Sequence, residues 1–278
     1  MKQATPLRGR GRTVALLTDF GTRDPYAGIM KGVMLGIAPG ARLVDITHHI
    51  PPQDIRAAAY SLLVTHPHFP ADTVFCCVVD PGVGSARHAV AVELTTENGG
   101  RQHIVCPDNG LLTPLLPKVT SAVLLDDPRY HLPNPSATFH GRDIFAPAAA
   151  HLAAGVPMHD LGTTAKPSSL VRLDWPAPTR TPEGWRAIVL HIDHFGNLIT
   201  SLPGGMLPPP RDSWRFEVAG RQLDGLGRTF TDAAPGQPVA YVGSSGLLEV
   251  ALRQGNAQQA WQVERGSEVV ATRLSRRT

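Results

Sequence analysis

The sequence predicts an α/β protein with two domains, an N-terminal one built on a central mixed, mostly parallel sheet and a smaller, barrel-like C-terminal one built only from β-strands. Two observations predict this division. Short apolar runs alternate with helical patterns through the first two-thirds of the chain, which is the order of βαβ units. The last third contains short strand-like runs between glycine turns, as in a small barrel or sandwich.

The first elements follow one another closely. The apolar run 14–17 predicts a strand that ends at the polar turn 18–21. Asp24 and Pro25 then predict a helix cap followed by proline at the first helical position, which opens a helix to about Ala38. A strand over 43–46, a helix over 53–65 and a wholly apolar strand over 74–79 are expected next.

Residues 89–106 favour a hairpin rather than another βαβ unit. The apolar runs 89–94 and 103–106 flank the turn sequence Glu-Asn-Gly-Gly at 97–100. The sheet is therefore expected to be mixed. A further helix is predicted over about 144–154, with Asp143 as its cap and Gly155 just beyond its end.

Prolines recur without apolar periodicity over 167–184, which predicts a linker or an extended crossing. We therefore expect a flexible basic tail over 1–12, an α/β domain over 13–166, a proline-rich linker over 167–184 and a β domain over 185–278. Within the last domain, strands are expected at 187–192, 215–218, 239–242, 247–251 and 268–271.

Composition excludes several classes of protein. The chain has 278 residues, 42% of them hydrophobic and 18% charged, which is enough for a substantial core. The net charge is only +3, and arginines cluster near the ends, at 8–12 and 273–277, so we expect no nucleic-acid partner. The first 13 residues are polar and basic, with none of the apolar segment of a signal sequence behind them, and no apolar stretch is long enough for a membrane span. Three cysteines cannot all pair within one chain, so a cytoplasmic location is expected.

Two aspartates stand where a strand is predicted to end. Asp19 and Asp80 each follow an apolar strand and precede a glycine-bearing turn, and ligands of open α/β sheets bind beyond the carboxyl ends of the strands. The loop 80–87 can return Arg87 to Asp80, and such a pair can hold a polarised water. A structural salt bridge and aspartates that cap their own turns are equally open alternatives.

His140 precedes the helix predicted at 144–154, where anions are favoured, although a lone histidine is more often structural and the chain contains 12. The histidine pairs at 66/68 and 191/194 match no known metal-site spacing, so we expect no metal. The chain has neither the Gly-x-Ser-x-Gly elbow of serine hydrolases nor a phosphate-binding Gly-Lys-Ser/Thr loop.

Taken together, six segments resemble the S-adenosyl-L-methionine hydroxide adenosyltransferases, hydrolases related to the fluorinase and the chlorinase. The segments are residues 17–21, 80–84 with Arg87, 107–112, 139–143, 192–197 and 244–249. The resemblance covers about Val14 to Ala271, in order. It implies hydrolysis of S-adenosyl-L-methionine to adenosine and L-methionine, by in-line attack of activated water on C5′ and without a cofactor.

The resemblance also assigns residues. It implies that Asp80, Arg87 and His140 activate the water, whereas halogenases carry tyrosine at the first of these positions, and that Asp19 holds the ribose hydroxyls. The residues implied to contact the substrate elsewhere are Asn109, Phe139, Asp193, Phe195, Asn197, Phe230, Ser244, Ser245 and Glu249. Ser245 stands where halogenases carry an arginine near the methionine carboxylate, which leaves that contact open, and Phe230 could instead be core.

The same resemblance implies a homotrimer with the substrate bound between neighbouring subunits. Two other functions stay open from the sequence. One is a halogenase-like enzyme in which a halide replaces water as the nucleophile. The other is a module that binds S-adenosyl-L-methionine or adenosine without catalysis. No membrane partner is expected.

Overall fold

The computed structural model describes residues 12–274, and the chain divides into two compact units, Met1–Leu173 and Asp174–Thr278. The boundary lies inside the stretch 167–184 for which the sequence predicts a linker. That stretch also contains a 3-10 turn at Pro167–Ser169 and a short strand at Thr179–Thr181. Of the basic tail expected over 1–12, residues 1–11 lie outside the described residues, as do residues 275–277 of the second arginine cluster.

A seven-stranded sheet forms the centre of the first unit, in the order β2-β1-β3-β5-β4-β6-β7. The first three neighbouring pairs in this order are parallel and the last three antiparallel, so five strands run in one direction and only β4 and β7 oppose them. The predicted mixed, mostly parallel sheet is therefore confirmed. The strands are β1 (Thr13–Thr18), β2 (Arg42–Thr47), β3 (Val74–Val78), β4 (Ala89–Thr95), β5 (Arg101–Pro107), β6 (Val119–Leu124) and β7 (Thr164–Ala165).

Helices cover both faces of this sheet. They are α1 (Tyr26–Ile37), α2 (Ile55–Thr65) and α3 (Ala146–Ala153). Met30 and Met34 of α1 share one buried cluster with Leu152 of α3, whereas Leu62 of α2 lies in the cluster on the other face. Because both faces are covered, β3 is buried along its whole length, which explains its continuous apolar sequence.

The predicted start of α1 was wrong by one residue. Pro25 is itself the cap, because its backbone (φ −78°, ψ 1°) lies outside the helical region and its carbonyl accepts the first helical bond from the N–H of Ile29 at 2.8 Å. Asp24 makes no capping hydrogen bond to the helix. Proline has no N–H to leave unpaired, so it fits the position before the first turn.

Asp143 is not the cap of α3, so that prediction was also wrong. It lies inside a π-helical turn, Gly141–Phe145, which runs directly into α3. The buried carboxylate accepts the backbone N–H of Ser136 at 2.8 Å and two bonds from Arg142, so its acceptors are used away from the helix end. Gly155 follows the end of the helix, as predicted.

An eight-stranded antiparallel sheet forms the second unit, in the order β12-β11-β15-β9-β10-β14-β13, with β8 paired to β9. A bridge between Gly227, which follows β12, and Tyr241 of β13 nearly closes the sheet into a barrel. The predicted barrel-like β domain is therefore confirmed. Its elements are β8 (Thr179–Thr181), β9 (Gly184–Ile192), β10 (Leu198–Pro203), β11 (Trp214–Val218), β12 (Arg221–Asp224), β13 (Pro238–Val242), β14 (Leu247–Leu252), α4 (Ala257–Trp261) and β15 (Glu268–Arg273).

The three cysteines are unpaired and lie in the core of the first unit. Cys76 and Cys77 belong to β3 and Cys106 to β5, and none is exposed. Burial raises the pKa of all three thiols, so they remain protonated. Within residues 12–274, no helix has the length and apolar character that crossing a membrane requires.

Candidate active site

Two neighbouring parallel strands place Asp19 and Asp80 at the same edge of the sheet. β1 and β3 pair up to Thr18 and Val78, and Asp19 lies one residue and Asp80 two residues beyond these ends. Both carboxylates line a cleft with a volume of about 420 Å³. The other residues that line it are Phe20, Tyr26, Pro52, Gln53, Val78, Pro81, Val83, Thr138, Phe139, His140 and Gly141.

The loop 80–87 returns Arg87 onto Asp80, as the sequence predicts. Nε of the guanidinium donates to Oδ1 of the carboxylate at 2.9 Å, and Nη2 donates to Oδ2, so the contact is bidentate. The side chains are only 6% and 11% exposed for Asp80 and Arg87. The guanidinium also lies over the ring of Phe145, 5.2 Å from its centroid. The cleft therefore contains a buried carboxylate in a fixed orientation.

Gly84 allows this loop to pack closely on the segment that carries His140. Its backbone has φ +77°, and a Cβ atom there would lie 2.5 Å from the carbonyl oxygen of Ala137. No side chain fits in that space, and L-residues rarely adopt this φ. Because Gly84 has no side chain, the Asp80–Arg87 loop can pack directly against the turn before α3.

His140 completes the cluster from the residue before the π-helical turn. Its Nδ1 lies 2.8 Å from Nη2 of Arg87. Because a guanidinium can only donate, Nδ1 accepts this bond, and in the neutral ring the proton sits on Nε2. Burial and then the positive charge of Arg87 lower the pKa of His140 below the ordinary histidine value. The imidazole is therefore neutral near pH 7 and presents an N–H donor.

Asp19 is held from one side only. Its Oδ2 accepts the backbone N–H of Gln53 at 2.8 Å. Gln53 has φ +66°, a left-handed conformation that is uncommon for a residue other than glycine. Oδ1 of Asp19 makes no hydrogen bond to any of residues 12–274. The carboxylate thus keeps acceptor capacity for a ligand in the cleft.

Three aromatic rings form one wall of the cleft. Phe20, Tyr26 and Phe139 contact one another edge to face, with centroids 5.2 to 5.9 Å apart. Gly141 lies behind them, where a Cβ atom would be 3.1 Å from Phe139 and 3.3 Å from Phe20. The sequence singles out only Phe139. Phe20 lies in the segment 17–21 that carries the resemblance, but the resemblance assigns it no contact, and Tyr26 belongs to the first turn of an ordinary helix and carries no signal.

Asp193, Phe195 and Asn197 form one turn in the second unit. Oδ1 of Asp193 accepts the backbone N–H groups of Phe195 at 2.9 Å and Asn197 at 2.8 Å, and its Oδ2 accepts the side-chain amide of Asn197 at 2.8 Å. These bonds fix the turn and leave the Phe195 ring 70% exposed at its tip. An exposed aromatic on an ordered turn is available to contact a ligand.

Glu249 and Phe230 both contact Tyr241, a residue for which the sequence predicts no role. The hydroxyl of Tyr241 donates to Oε2 of Glu249 at 2.7 Å, and the Phe230 ring lies 4.7 Å from that of Tyr241. Burial raises the pKa of Glu249, and the nearby charge of Asp193 adds to this effect, against the opposing bond from Tyr241. The pairing of Tyr241 with Glu249 across β13 and β14 could have been found only from the strand register.

The remaining predicted residues differ in their surroundings. Ser244 and Ser245 lie in the turn between β13 and β14, where Oγ of Ser245 is buried without a hydrogen-bond partner among the described residues.

Asn109 does not line the cleft. Its side-chain amide donates to the carbonyl of Val79 at 2.8 Å and its oxygen accepts the N–H of Leu111, so it supports the strand end instead.

No group of three or more His, Cys, Asp or Glu side chains within residues 12–274 is placed to hold a metal ion.

Comparisons with known proteins agree over nearly the whole chain. The family model for the SAM hydroxide adenosyltransferase N-terminal domain matches residues 14–162, and that for the C-terminal domain matches 187–270. An (R)-S-adenosyl-L-methionine hydrolase of Thermus thermophilus is 45% identical over 93% of this chain and 98% of its own. A fluorinase of an Actinoplanes species is 29% identical over 94% of this chain and 97% of its own length. The crystal structure of an uncharacterized conserved protein from Thermotoga maritima matches with a TM-score of 0.86 and 34% identity over 94% of this chain and all of that one.

Replacing Gly84 by alanine tests the packing of the loop. We expect Gly84→Ala to lower the free energy of unfolding by about 1–2 kcal/mol for the left-handed backbone, plus about 1–3 kcal/mol for the contact with Ala137. Gly99→Ala is the matched control, because Gly99 has φ +75° in a hairpin turn with no atom within 4 Å of the added Cβ. Equal losses for the two variants in chemical denaturation would contradict this account.

Proposed function

The chain belongs to the SAM hydroxide adenosyltransferase family, and we propose that it hydrolyses S-adenosyl-L-methionine to adenosine and L-methionine. The observation that carries the proposal is that Asp80 and His140 line one cleft with Asp19, and that Arg87 is hydrogen-bonded to both of the first two. The relative that is 45% identical is named for the (R) form of the substrate. We propose that this chain also acts on the epimer with the (R) configuration at sulfur.

The reaction requires activation of the water nucleophile, whereas the leaving group needs no acid catalyst. The sulfonium makes C5′ electrophilic and leaves as a neutral thioether, which takes the electrons of the C5′–S bond and needs no proton. Water, with a pKa near 15.7, is a poor nucleophile unless its proton is accepted as the new bond forms. The proposal therefore depends on a base beside C5′.

We assign the role of base to Asp80. As the water oxygen bonds to C5′, one proton passes to the carboxylate and later to solvent. Each carboxylate oxygen already accepts one bond from Arg87 and retains a second lone pair. Arg87 thus holds the carboxylate in one orientation and leaves it able to accept from water.

His140 is assigned the role of orienting the water. Its neutral ring accepts from Arg87 through Nδ1, so its Nε2–H would donate to the water oxygen. A water that donates to Asp80 and accepts from His140 has one lone pair left for C5′. Two fixed partners place that lone pair in line with the C5′–S bond, which lowers the entropy cost of the attack.

The rest of the substrate is assigned by the resemblance and supported by chemistry. Asp19 would hold the ribose hydroxyls through its free Oδ1, and the aromatic wall would exclude water from the reacting atoms, which strengthens their mutual attraction. Phe139 of this wall would pack near the sugar. Residues proposed to contact the adenine or methionine ends are Asp193, Phe195, Asn197, Phe230, Ser244, Ser245 and Glu249. The buried, unpartnered Oγ of Ser245 is the kind of group that a ligand carboxylate would satisfy.

We propose further that the enzyme is a cytoplasmic homotrimer whose substrate binds between neighbouring subunits, and that it uses no metal or other cofactor. The trimer rests on the family resemblance alone. The cytoplasmic location is supported by three free, buried thiols in the first unit, which fit a reducing compartment.

A halide-using reaction is less well supported, although a fluorinase is among the relatives. The guanidinium of Arg87 would be the natural partner for a halide, but the carboxylate of Asp80 occupies both of its donors that face the loop. A second anion would meet a buried negative charge there. Water carries no such penalty.

Product analysis tests the proposal. The purified chain is incubated with the (R) and (S) epimers of S-adenosyl-L-methionine, with and without chloride and after dialysis against a chelator. We expect equimolar adenosine and methionine, faster from the (R) epimer and unchanged by chelation. A 5′-halogenated nucleoside in the chloride sample would support the halogenase alternative, and binding without any product would support the non-catalytic one.

Replacing Asp80 by asparagine keeps the shape and removes the base. We expect Asp80→Asn to lower kcat by on the order of 10²–10⁴ while changing substrate affinity much less. Asp72→Asn, at the opposite end of β3, serves as the control for loss of a carboxylate and should keep full turnover. Unaltered kcat in Asp80→Asn would remove this residue from the mechanism.

The pH profile tests the state of His140. The neutral ring is the active form, because a protonated ring cannot accept from Arg87 and would place two cations together. Since the pKa of His140 is lowered, the acid-side break in kcat/KM should lie below about pH 6.5, the ordinary histidine value, and kcat/KM should fall as the pH drops through that break. His140→Gln should lack this limb. A break at or above pH 6.5 in the unmodified enzyme would contradict the assignment.

A further inference from the structure

A chain of hydrogen bonds runs from the surface to the end of β1, just behind Asp19. Nζ of Lys31 lies 2.6 Å from Oδ2 of Asp45, whose Oδ1 lies 3.0 Å from Nε2 of His48. Nδ1 of His48 is 2.8 Å from Oγ1 of Thr18. Thr18 is completely buried and His48 is 4% exposed, and neither residue lines the cleft.

Each bond in this chain has a definite direction. Burial would raise the pKa of Asp45, but the bonds from Lys31 and His48 outweigh it and lower the pKa, so this carboxylate is ionised and only accepts. Nε2 of His48 therefore carries a proton, and in the neutral ring Nδ1 accepts from the hydroxyl of Thr18. The Thr18 oxygen in turn accepts the backbone N–H of Phe20 at 3.3 Å.

The hydrogen bonds at the buried end of this network hold the turn that carries Asp19. The bond between Thr18 and the N–H of Phe20 spans it within β1 and the following turn. The carbonyl of His48 accepts the N–H of Gly21 at 2.6 Å, and the N–H of Gln53 donates to the Asp19 carboxylate. With the Thr18–His48 bond, and with the N–H of Ile50 donating to the carbonyl of Thr18 at 3.4 Å, these bonds tie the turn that carries Asp19 to the segment 48–53 at four points.

We infer that Thr18 and His48 are positioning residues that hold the Asp19 carboxylate in the orientation needed to bind the ribose hydroxyls of the substrate. Stability alone does not account for them, because replacing both members of a buried hydrogen-bonded pair by apolar groups of the same shape can be nearly neutral. A carboxylate that must meet two adjacent hydroxyls does require a fixed orientation. The inference rests on the proposed function, in which Asp19 binds the ribose.

Adenosine binding measured by calorimetry isolates this effect from turnover. Thr18→Val keeps the shape of the side chain and removes the hydroxyl, and we expect it to raise the Kd of adenosine about threefold to tenfold. Thr18→Ser should restore affinity. Thr73→Val is the matched control, since Thr73 is also buried and hydrogen-bonded, at 2.8 Å to the carbonyl of Pro70, but precedes the far end of β3. It should change Kd less than twofold.

A double-mutant cycle distinguishes positioning from a merely structural role. If Thr18 acts through Asp19, then Thr18→Val should change Kd less than twofold when introduced into Asp19→Ala. The same threefold to tenfold effect in both backgrounds would overturn the inference. So would an unchanged Kd in Thr18→Val.

A second variant tests the inference even if Thr18→Val fails to fold. The Asp45 side chain is 44% exposed, so Asp45→Ala leaves the core intact and removes the acceptor that fixes the proton on His48. We expect Kd to rise at least twofold, again only when Asp19 is present, and an unchanged Kd would count against the inference. If the unmodified chain neither binds adenosine nor releases it from S-adenosyl-L-methionine, the proposed function is itself overturned. Binding by the unmodified chain with no effect of these variants overturns the inference alone.

Discussion

The buried ion pair between Asp80 and Arg87 is the contact on which the rest of the site depends. Two charges taken out of water are tolerated only with close, well-oriented hydrogen bonds, and removing one partner leaves the other uncompensated. The pair supplies that geometry through a bidentate contact. It also fixes the state of His140, because a guanidinium beside Nδ1 allows only the neutral ring with its proton on Nε2.

The fold explains why these groups meet. Parallel strands β1 and β3 end together, which brings Asp19 and Asp80 to one edge of the sheet although 60 residues separate them in sequence. A glycine turn returns Arg87, and His140 comes from the residue just before the π-helical turn that leads into α3. π-helical turns are rare and frequently occur at functional sites. The polar cluster is thus assembled from backbone features at the ends of regular elements, whereas the two hydrophobic layers hold those elements in place.

Much of this could be predicted from the sequence, and the failures have physical reasons. Continuous or alternating apolar runs identified β1 to β5 and five strands of the second unit, whereas β6, β7, β8, β10 and β12 were not predicted. In β6 and β10 the polar residues Thr120, Ser121, Thr200 and Ser201 interrupt the pattern, and β7, β8 and β12 are only two to four residues long. The residues of the loop 80–87 were predictable because the loop is short. Gln53 was not, because its approach to Asp19 depends on a left-handed backbone that no local pattern signals.

The central claim is that water activated beside Asp80 attacks C5′ rather than any other atom. The most direct measurement is hydrolysis of S-adenosyl-L-methionine in ¹⁸O-labelled water, followed by mass spectrometry of both products. We expect one ¹⁸O atom in adenosine, on the 5′ oxygen, and none in methionine beyond that of a control without enzyme. Label in a methionine-derived alcohol, or adenosine without label, would contradict it.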